Sequence, residues 1–177
     1  LAEQAHLLVL PWKKKYHGIS MNRLPMKIII ANDHAAIAIK ERLHNWLEKQ
    51  GHRVVDLGVD AGVKADYPDK AIEAASLFLE GGYDFGILCC GTGIGVSITA
   101  NKIAGIRCAL PQNSYSAKMA VEHNNCQFIA FGGRIDYQEN PEDILDAFLS
   151  AIYQGSERHQ RRIDKITAME TGNTASS

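Results

Sequence analysis

The feature that most constrains this chain is a regular alternation of short apolar runs with helix-period segments, beginning at Met26. The runs Lys27 to Ala31, Arg53 to Leu57, Phe85 to Cys89, Ile106 to Leu110 and Phe128 to Phe131 read as strands. Ile37 to Gln50, Pro68 to Glu80, Gly95 to Lys102, Ser114 to His123, Pro141 to Tyr153 and Ser156 to Glu170 read as helices. Strands that are apolar on both sides belong in a parallel sheet covered on both faces. The expectation is an α/β fold: a three-layer α/β/α sandwich around a five-stranded parallel sheet of Rossmann-like type.

In such sheets ligands bind beyond the carboxyl ends of the strands. The polar oddities of the chain fall there. Asp33-His34 follows the first strand, Cys90 to Gly95 the third, Pro111-Gln112-Asn113 the fourth and Gly132-Gly133-Arg134 the fifth. His123-Asn124-Asn125 is the exception, because it ends a helix; it could reach the same site from a neighbouring subunit.

Residues 26–170 are expected to form one domain, within the burial capacity of a chain of this length. Residues 1–25 read as an extension outside that core, an upstream remnant or an interface arm, because Lys13-Lys14-Lys15 follows the apolar run instead of preceding it as in a secretory signal. Residues 171–177 are polar and read as a flexible tail. A net charge of −1 argues against a nucleic-acid binder or a polybasic membrane protein. No stretch approaches a membrane span. The four cysteines, Cys89, Cys90, Cys108 and Cys126, show no pairing framework and fit reduced thiols in the cytoplasm.

Cys90 opens a glycine-rich turn, Cys90-Gly91-Thr92-Gly93-Ile94-Gly95-Val96-Ser97, between a strand and a helix. Backbone N–H groups in such a turn suit an oxyanion or a phosphate and favour a thiolate over a thiol. A dinucleotide fingerprint is a poor match: Val96 and Ser97 stand where a third spaced glycine belongs, and Leu110-Pro111-Gln112 offers no acidic residue after the next strand. Cys89, on the opposite face of the strand, reads as structural. Asp33 could be a helix cap or a ligand contact, and His123 could simply favour a helix C-terminus. Arg158 and Arg162 lie four apart, so both can meet one phosphate from a single helical face.

Taken in order, Asp33-His34, Cys90-Gly91-Thr92-Gly93-x-Gly95-x-Ser97, Ala100-Asn101-Lys102, Gly105-Ile106-Arg107, His123-Asn124-Asn125, Gly132-Gly133-Arg134 and Arg158-His159-Gln160-x-Arg162 resemble the ribose-5-phosphate isomerase B family, which includes galactose-6-phosphate isomerase subunits. The resemblance runs from Met26 to about Glu170. It implies an aldose–ketose isomerase of the pentose phosphate pathway that interconverts ribose 5-phosphate and ribulose 5-phosphate with no metal or organic cofactor.

By the same resemblance Cys90 would be the base, and His123 would open the sugar ring. Read from its own chemistry, Thr92 carries a hydroxyl beside that base that could hydrogen-bond the thiolate or a substrate oxygen. Asp33, His34, Gly91, Gly93, Ile94, Gly95 and Asn124 would contact the sugar, and Arg134, Arg158 and Arg162 the phosphate. Dimers or tetramers with shared sites are implied too.

The chain departs from the common pattern at Asn32, where a small residue is frequent, at Ala36, where glycine is frequent, and at Val96, where some members place a glutamate. Asn32 and Ala36 could alter the fit of the sugar chain. Alternatives are the same chemistry on a tetrulose phosphate, allose 6-phosphate or galactose 6-phosphate, or a non-catalytic sugar-phosphate binding protein.

Overall fold

The computed structural model describes residues 25–170 and 172. Apart from Pro25, the expected extension lies outside the described residues, and so does the tail except Gly172. In chain order the elements are β1 (Lys27–Asn32), α1 (Ile37–Lys49), β2 (Arg53–Asp56), α2 (Tyr67–Leu79), β3 (Phe85–Cys90), α3 (Ile94–Asn101), β4 (Cys108–Ala109), α4 (Ser114–Asn124), β5 (Phe128–Gly132), α5 (Pro141–Leu149) and α6 (Glu157–Glu170).

All five strands are parallel, in the order β2-β1-β3-β5-β4. The expected α/β fold is what forms, and alternate side chains of each central strand feed two cores. Ile28, Ile30, Phe85, Ile87, Cys89, Ile129 and Phe131 pack with α1, α4 and α5. Ile29, Ala31, Leu88, Cys90, Phe128 and Ala130 pack with α2 and α3 on the other face. Gly86 lets β3 carry the Phe128 ring: a Cβ there would lie 2.1 Å from Phe128 Cε1. Phe128 in turn meets Phe78 edge to face, with centroids 5.1 Å apart.

Two expectations need correcting. The fourth strand spans only Cys108–Ala109 instead of Ile106 to Leu110. The Asn101 side chain takes the place of a strand partner, accepting from Cys108 N and donating to Cys108 O, while Gln127 Oε1 accepts from Arg107 N. The fifth helix stops at Leu149, not Tyr153. Ala151 and Tyr153 are buried, but their backbone leaves the helix before Gly155, at φ +65°.

The strand order sets the site. From β1 the chain moves to the β2 edge, with α1 on one face; from β3 it moves towards β4 and β5, with α3 on the other. The segments after β1 and β3 therefore part company, and a crevice opens between them at the carboxyl ends of adjacent strands. Asp33-His34 forms one lip and Cys90 to Gly95 the other.

Candidate active site

The β1 lip is held by its own polar groups. Asp33 N donates to Cys89 O at 3.1 Å, and Asp33 Oδ1 accepts from Ala35 N at 2.9 Å. Asp33 is therefore not the cap of α1; that position is Ala36, without a side-chain cap. The Asp33 carboxylate braces a tight turn beside Cys89 and Cys90, with 6% of the residue exposed. His34 is exposed, and its Nδ1 lies 3.0 Å from Ala65 O. A carbonyl can only accept, so Nδ1 carries the proton and Nε2 is the ring atom left to meet a ligand.

Asn32 is fully buried. Its Nδ2 donates to Asp33 O at 2.7 Å, while its Oδ1 accepts from Val59 N at 3.2 Å. It ties the β1 lip to the segment after β2, where a Cβ on Gly58 would lie 1.9 Å from Asn32 Oδ1.

On the other lip, β3 runs to Cys90, which is 4% exposed. Cys90 O accepts from Gly133 N at 2.8 Å and Gly91 O from Arg134 N at 2.9 Å, so the β3 and β5 loops leave the sheet together. A Cβ on Gly91 would lie 3.7 Å from Arg134 Nη1, which puts that guanidinium against the turn. Gly93 has φ +76° and sits under Leu110 and the Phe131–Gly132 backbone, where no side chain fits.

The helix start is partly used internally. Thr92 Oγ1 accepts from Ile94 N at 3.3 Å, and Ser97 N donates to Gly93 O at 3.2 Å. Gly95 and Val96 thus present the first-turn N–H groups that lack an acceptor inside the helix. The Tyr67 ring lies over Gly95, 2.6 Å from where a Cβ would be.

Cys90, Thr92, Asp33, His34, Gly91, Gly93, Ile94, Gly95 and Arg134 thus share one end of the sheet. His123, Asn124, Arg158 and Arg162 do not join them. Helix α4 starts near the carboxyl end of β4, with Asn113 in a reciprocal cap with Ser116, and returns to the amino end of β5. His123 is in its last turn, at the opposite end of the sheet from Cys90. There Arg107 donates from Nε to Asn124 O and from Nη2 to Asn125 O, both at 2.8 Å, closing a turn in which Asn125 has φ 49°. Burial of that guanidinium lowers its pKa.

Helix α6 crosses this end. The His123 and His159 rings lie 4.2 Å apart between centroids, tilted by 45°. Arg158 and Arg162 are exposed on the same helix. Arg107, Tyr67 and the Ala65 carbonyl are parts of these two clusters that sequence reasoning missed. Only Arg107 had a signal, in the Gly105-Ile106-Arg107 motif.

Between the clusters, along the open edge of β4, runs a groove of about 470 Å³ lined by Arg107, Leu110, Tyr115, Met119, Asn124 and Ile166. The other cysteines are poor candidates for acid–base work. Burial raises the thiol pKa of Cys89 and Cys108, and pushes Cys126 up to about 12. Among the described residues no group of three or more His, Cys, Asp or Glu could hold a metal ion, and no helix is long and apolar enough to cross a membrane.

Residues 28–166 match the family model described as Ribose/Galactose Isomerase. Ribose-5-phosphate isomerase B of Escherichia coli is 41% identical over 144 residues, covering 81% of this chain and 96% of that protein. The galactose-6-phosphate isomerase subunit LacB of Clostridium acetobutylicum is 39% identical, covering 80% of this chain and 82% of that protein. Among solved structures, ribose-5-phosphate isomerase B of Clostridium thermocellum superposes with a TM-score of 0.79 at 41% identity, covering 83% of this chain and 99% of that one. With its fold and its sequence both matched over nearly the whole described region, this chain belongs to the Ribose/Galactose Isomerase family and is an isomerase.

Proposed function

We propose that the protein interconverts ribose 5-phosphate and ribulose 5-phosphate through an enediolate, in a site shared between two copies of the chain. The observation that carries this reading is the crevice between β1 and β3. There β3 ends at Cys90, next to the strand that leads into the Asp33-His34 lip and four residues before the helix starts at Ile94. As base, Cys90 takes the proton from the carbon next to the aldehyde and returns it to the neighbouring carbon. The negative charge that develops on oxygen meets fixed N–H donors that need not reorganise. Thr92 keeps its hydroxyl proton for the sulfur or a substrate oxygen, since Ile94 N uses only a lone pair.

Ring opening needs an acid at the ring oxygen and a base at the anomeric hydroxyl, the roles assigned to His123. Arg134, Arg158 and Arg162 take the phosphate, whose remote binding holds the reacting carbons in place. One chain holds Cys90 and His123 at opposite ends of its sheet. The β4 groove connects those ends: Leu110 packs by Gly93 at one, and Asn124 lies at the other. A second copy set across this edge by a two-fold axis brings its Asn124 end to the first copy's Leu110 end.

Residues 26–170 form the catalytic domain in this reading. Four unpaired cysteines fit a reducing cytoplasm. The LacB relative, at 39% identity, favours galactose 6-phosphate as the second substrate reading.

A panel of four-, five- and six-carbon aldose phosphates, assayed with purified protein and with Cys90→Ala, tests the proposal. Wild type should prefer ribose 5-phosphate, and Cys90→Ala should lose roughly 10²-fold or more in turnover. Preference for a tetrose or hexose phosphate overturns the substrate. Full turnover in Cys90→Ala overturns the base, and binding without turnover by wild type points to a non-catalytic protein.

A further inference from the structure

His159 has no part in the reaction as described above, yet it is the side chain that touches both His123 and the phosphate clamp. Its ring packs on His123 at 4.2 Å between centroids, and its Nε2 lies 3.3 Å from Arg158 Nη2. A guanidinium has no lone pair to give, so Nε2 must be the acceptor and Nδ1 must carry the ring proton. The Glu122 backbone carbonyl of α4 acts on the same ring, on the side of the Nδ1–H. Arg158 therefore fixes the tautomer, and the contact with His123 fixes the orientation.

We propose that His159 is a positioning residue: its neutral imidazole braces the His123 ring on one side and aims the Arg158 guanidinium on the other. The inference rests on the reading of His123 and Arg158 given above.

The electrostatics agree. Partial burial lowers the His159 pKa from 6.5, and His123, Arg158 and Arg162 lower it further, against the Glu122 carbonyl that raises it. The charged side chains acting on the His159 ring are these two arginines on its own helix; on α4 the Lys118–Glu122 ion pair, at 3.6 Å, precedes His123 in sequence. A protonated ring would lose Arg158 as a donor and add positive charge beside His123. A neutral ring can hold His123 in either protonation state, as an acid–base residue requires. Because His159 and His123 belong to the same chain, the brace exists before any second copy arrives.

The test compares His159→Ala with His159→Phe, which keeps the stacked ring and loses the acceptor. With ribose 5-phosphate, His159→Ala should lower kcat about tenfold, since a loosened acid–base group is misplaced. His159→Phe should recover most of kcat while KM stays raised, because Arg158 remains unaimed. Equal losses in both variants, accompanied by a lower Tm, mean a packing role and overturn the proposal. Wild-type kcat and KM in both variants overturn it as well.

Histidine ring NMR on the free protein decides the brace without activity. At pH 6.5, where an ordinary imidazole is half protonated, His159 should be less than half protonated, and its neutral form should carry the proton on Nδ1. The His123 ring protons should carry a ring-current shift that His159→Ala abolishes and His159→Phe keeps. Absence of that shift in wild type overturns the proposal. Its presence in a wild type without isomerase activity would instead sink the catalytic reading and leave the brace standing.

Discussion

Arg158 and Arg162 lie one turn apart on α6, exposed and clear of both cores. Their proposed work is to hold a phosphate that takes no part in bond making. Removing one should therefore cost binding first: Arg158→Ala should lose the roughly 1.5–3 kcal/mol typical of a charge-assisted hydrogen bond, or about ten- to a hundredfold in KM. Circular dichroism and Tm should stay at wild-type values. A Cys90 variant should show the opposite split, with kcat falling and KM little moved. If Arg158→Ala leaves KM for the phosphosugar unchanged, this helix is not the clamp.

Asn32 illustrates what one position can hide. As a departure from a small residue it suggests altered sugar fit, but its buried amide is spent on Asp33 O and on the Val59 backbone. It acts on the segment after β2, and reaches the crevice only through the turn it holds.

At the scale of elements, β1 and β2 are joined at their amino ends by His52, whose Nδ1 accepts from Met26 N at 3.2 Å. That bond needs a neutral ring. Burial lowers the His52 pKa below 6.5, with Asp84 and Asp146 opposing. The unfolded chain therefore binds this proton before the native one does. Stability is unaffected above that range, falls as pH drops below about 6.5, and levels off once the native ring is protonated. Tm followed from pH 7.5 to pH 5 should decline, and His52→Asn, which keeps an acceptor but cannot titrate, should flatten part of the slope. An unchanged slope in His52→Asn would remove His52 as a cause.

Elements of this kind were legible where apolar runs are long and caps clear. β1, β3 and β5 bury five or six residues each against both layers, and Gly51 and Gly81-Gly82 punctuate α1 and α2 as read. Ile106 to Leu110 reads as a longer strand because every residue but Arg107 is apolar, although side-chain amides replace its ladder. Strand order, and with it the distance between Cys90 and His123, depends on long-range packing that no local pattern encodes. The Cys90 turn was readable because positive φ and close approach demand glycine. Tyr67 over Gly95 was not, since an aromatic at the start of a helix has many uses.

The whole molecule poses a problem of completeness. Asp33, His34, Cys90 and Arg134 occupy one end, while His123, Arg158 and Arg162 occupy the other. Between them the open β4 edge is flanked by the exposed apolar side chains Ile94, Ile98, Leu110, Tyr115, Ile166 and Met169. Apolar surface gathered beside a two-residue edge strand is what an interface between copies would bury. If sites are shared, each site in a dimer draws its base from one chain and its ring-opening group from the other. Cys90→Ala and His123→Ala homodimers should then each be nearly inactive. In a heterodimer of the two, one site carries both defects and its twin carries none. Equal amounts, unfolded and refolded together, give about half heterodimers, so about a quarter of wild-type activity should return. Refolding each variant alone is the control. No recovery, with mixed dimers demonstrated by native mass spectrometry, would mean that Cys90 and His123 work within one chain. Recovery would place each active site between two chains and make the isolated chain a pair of half-sites.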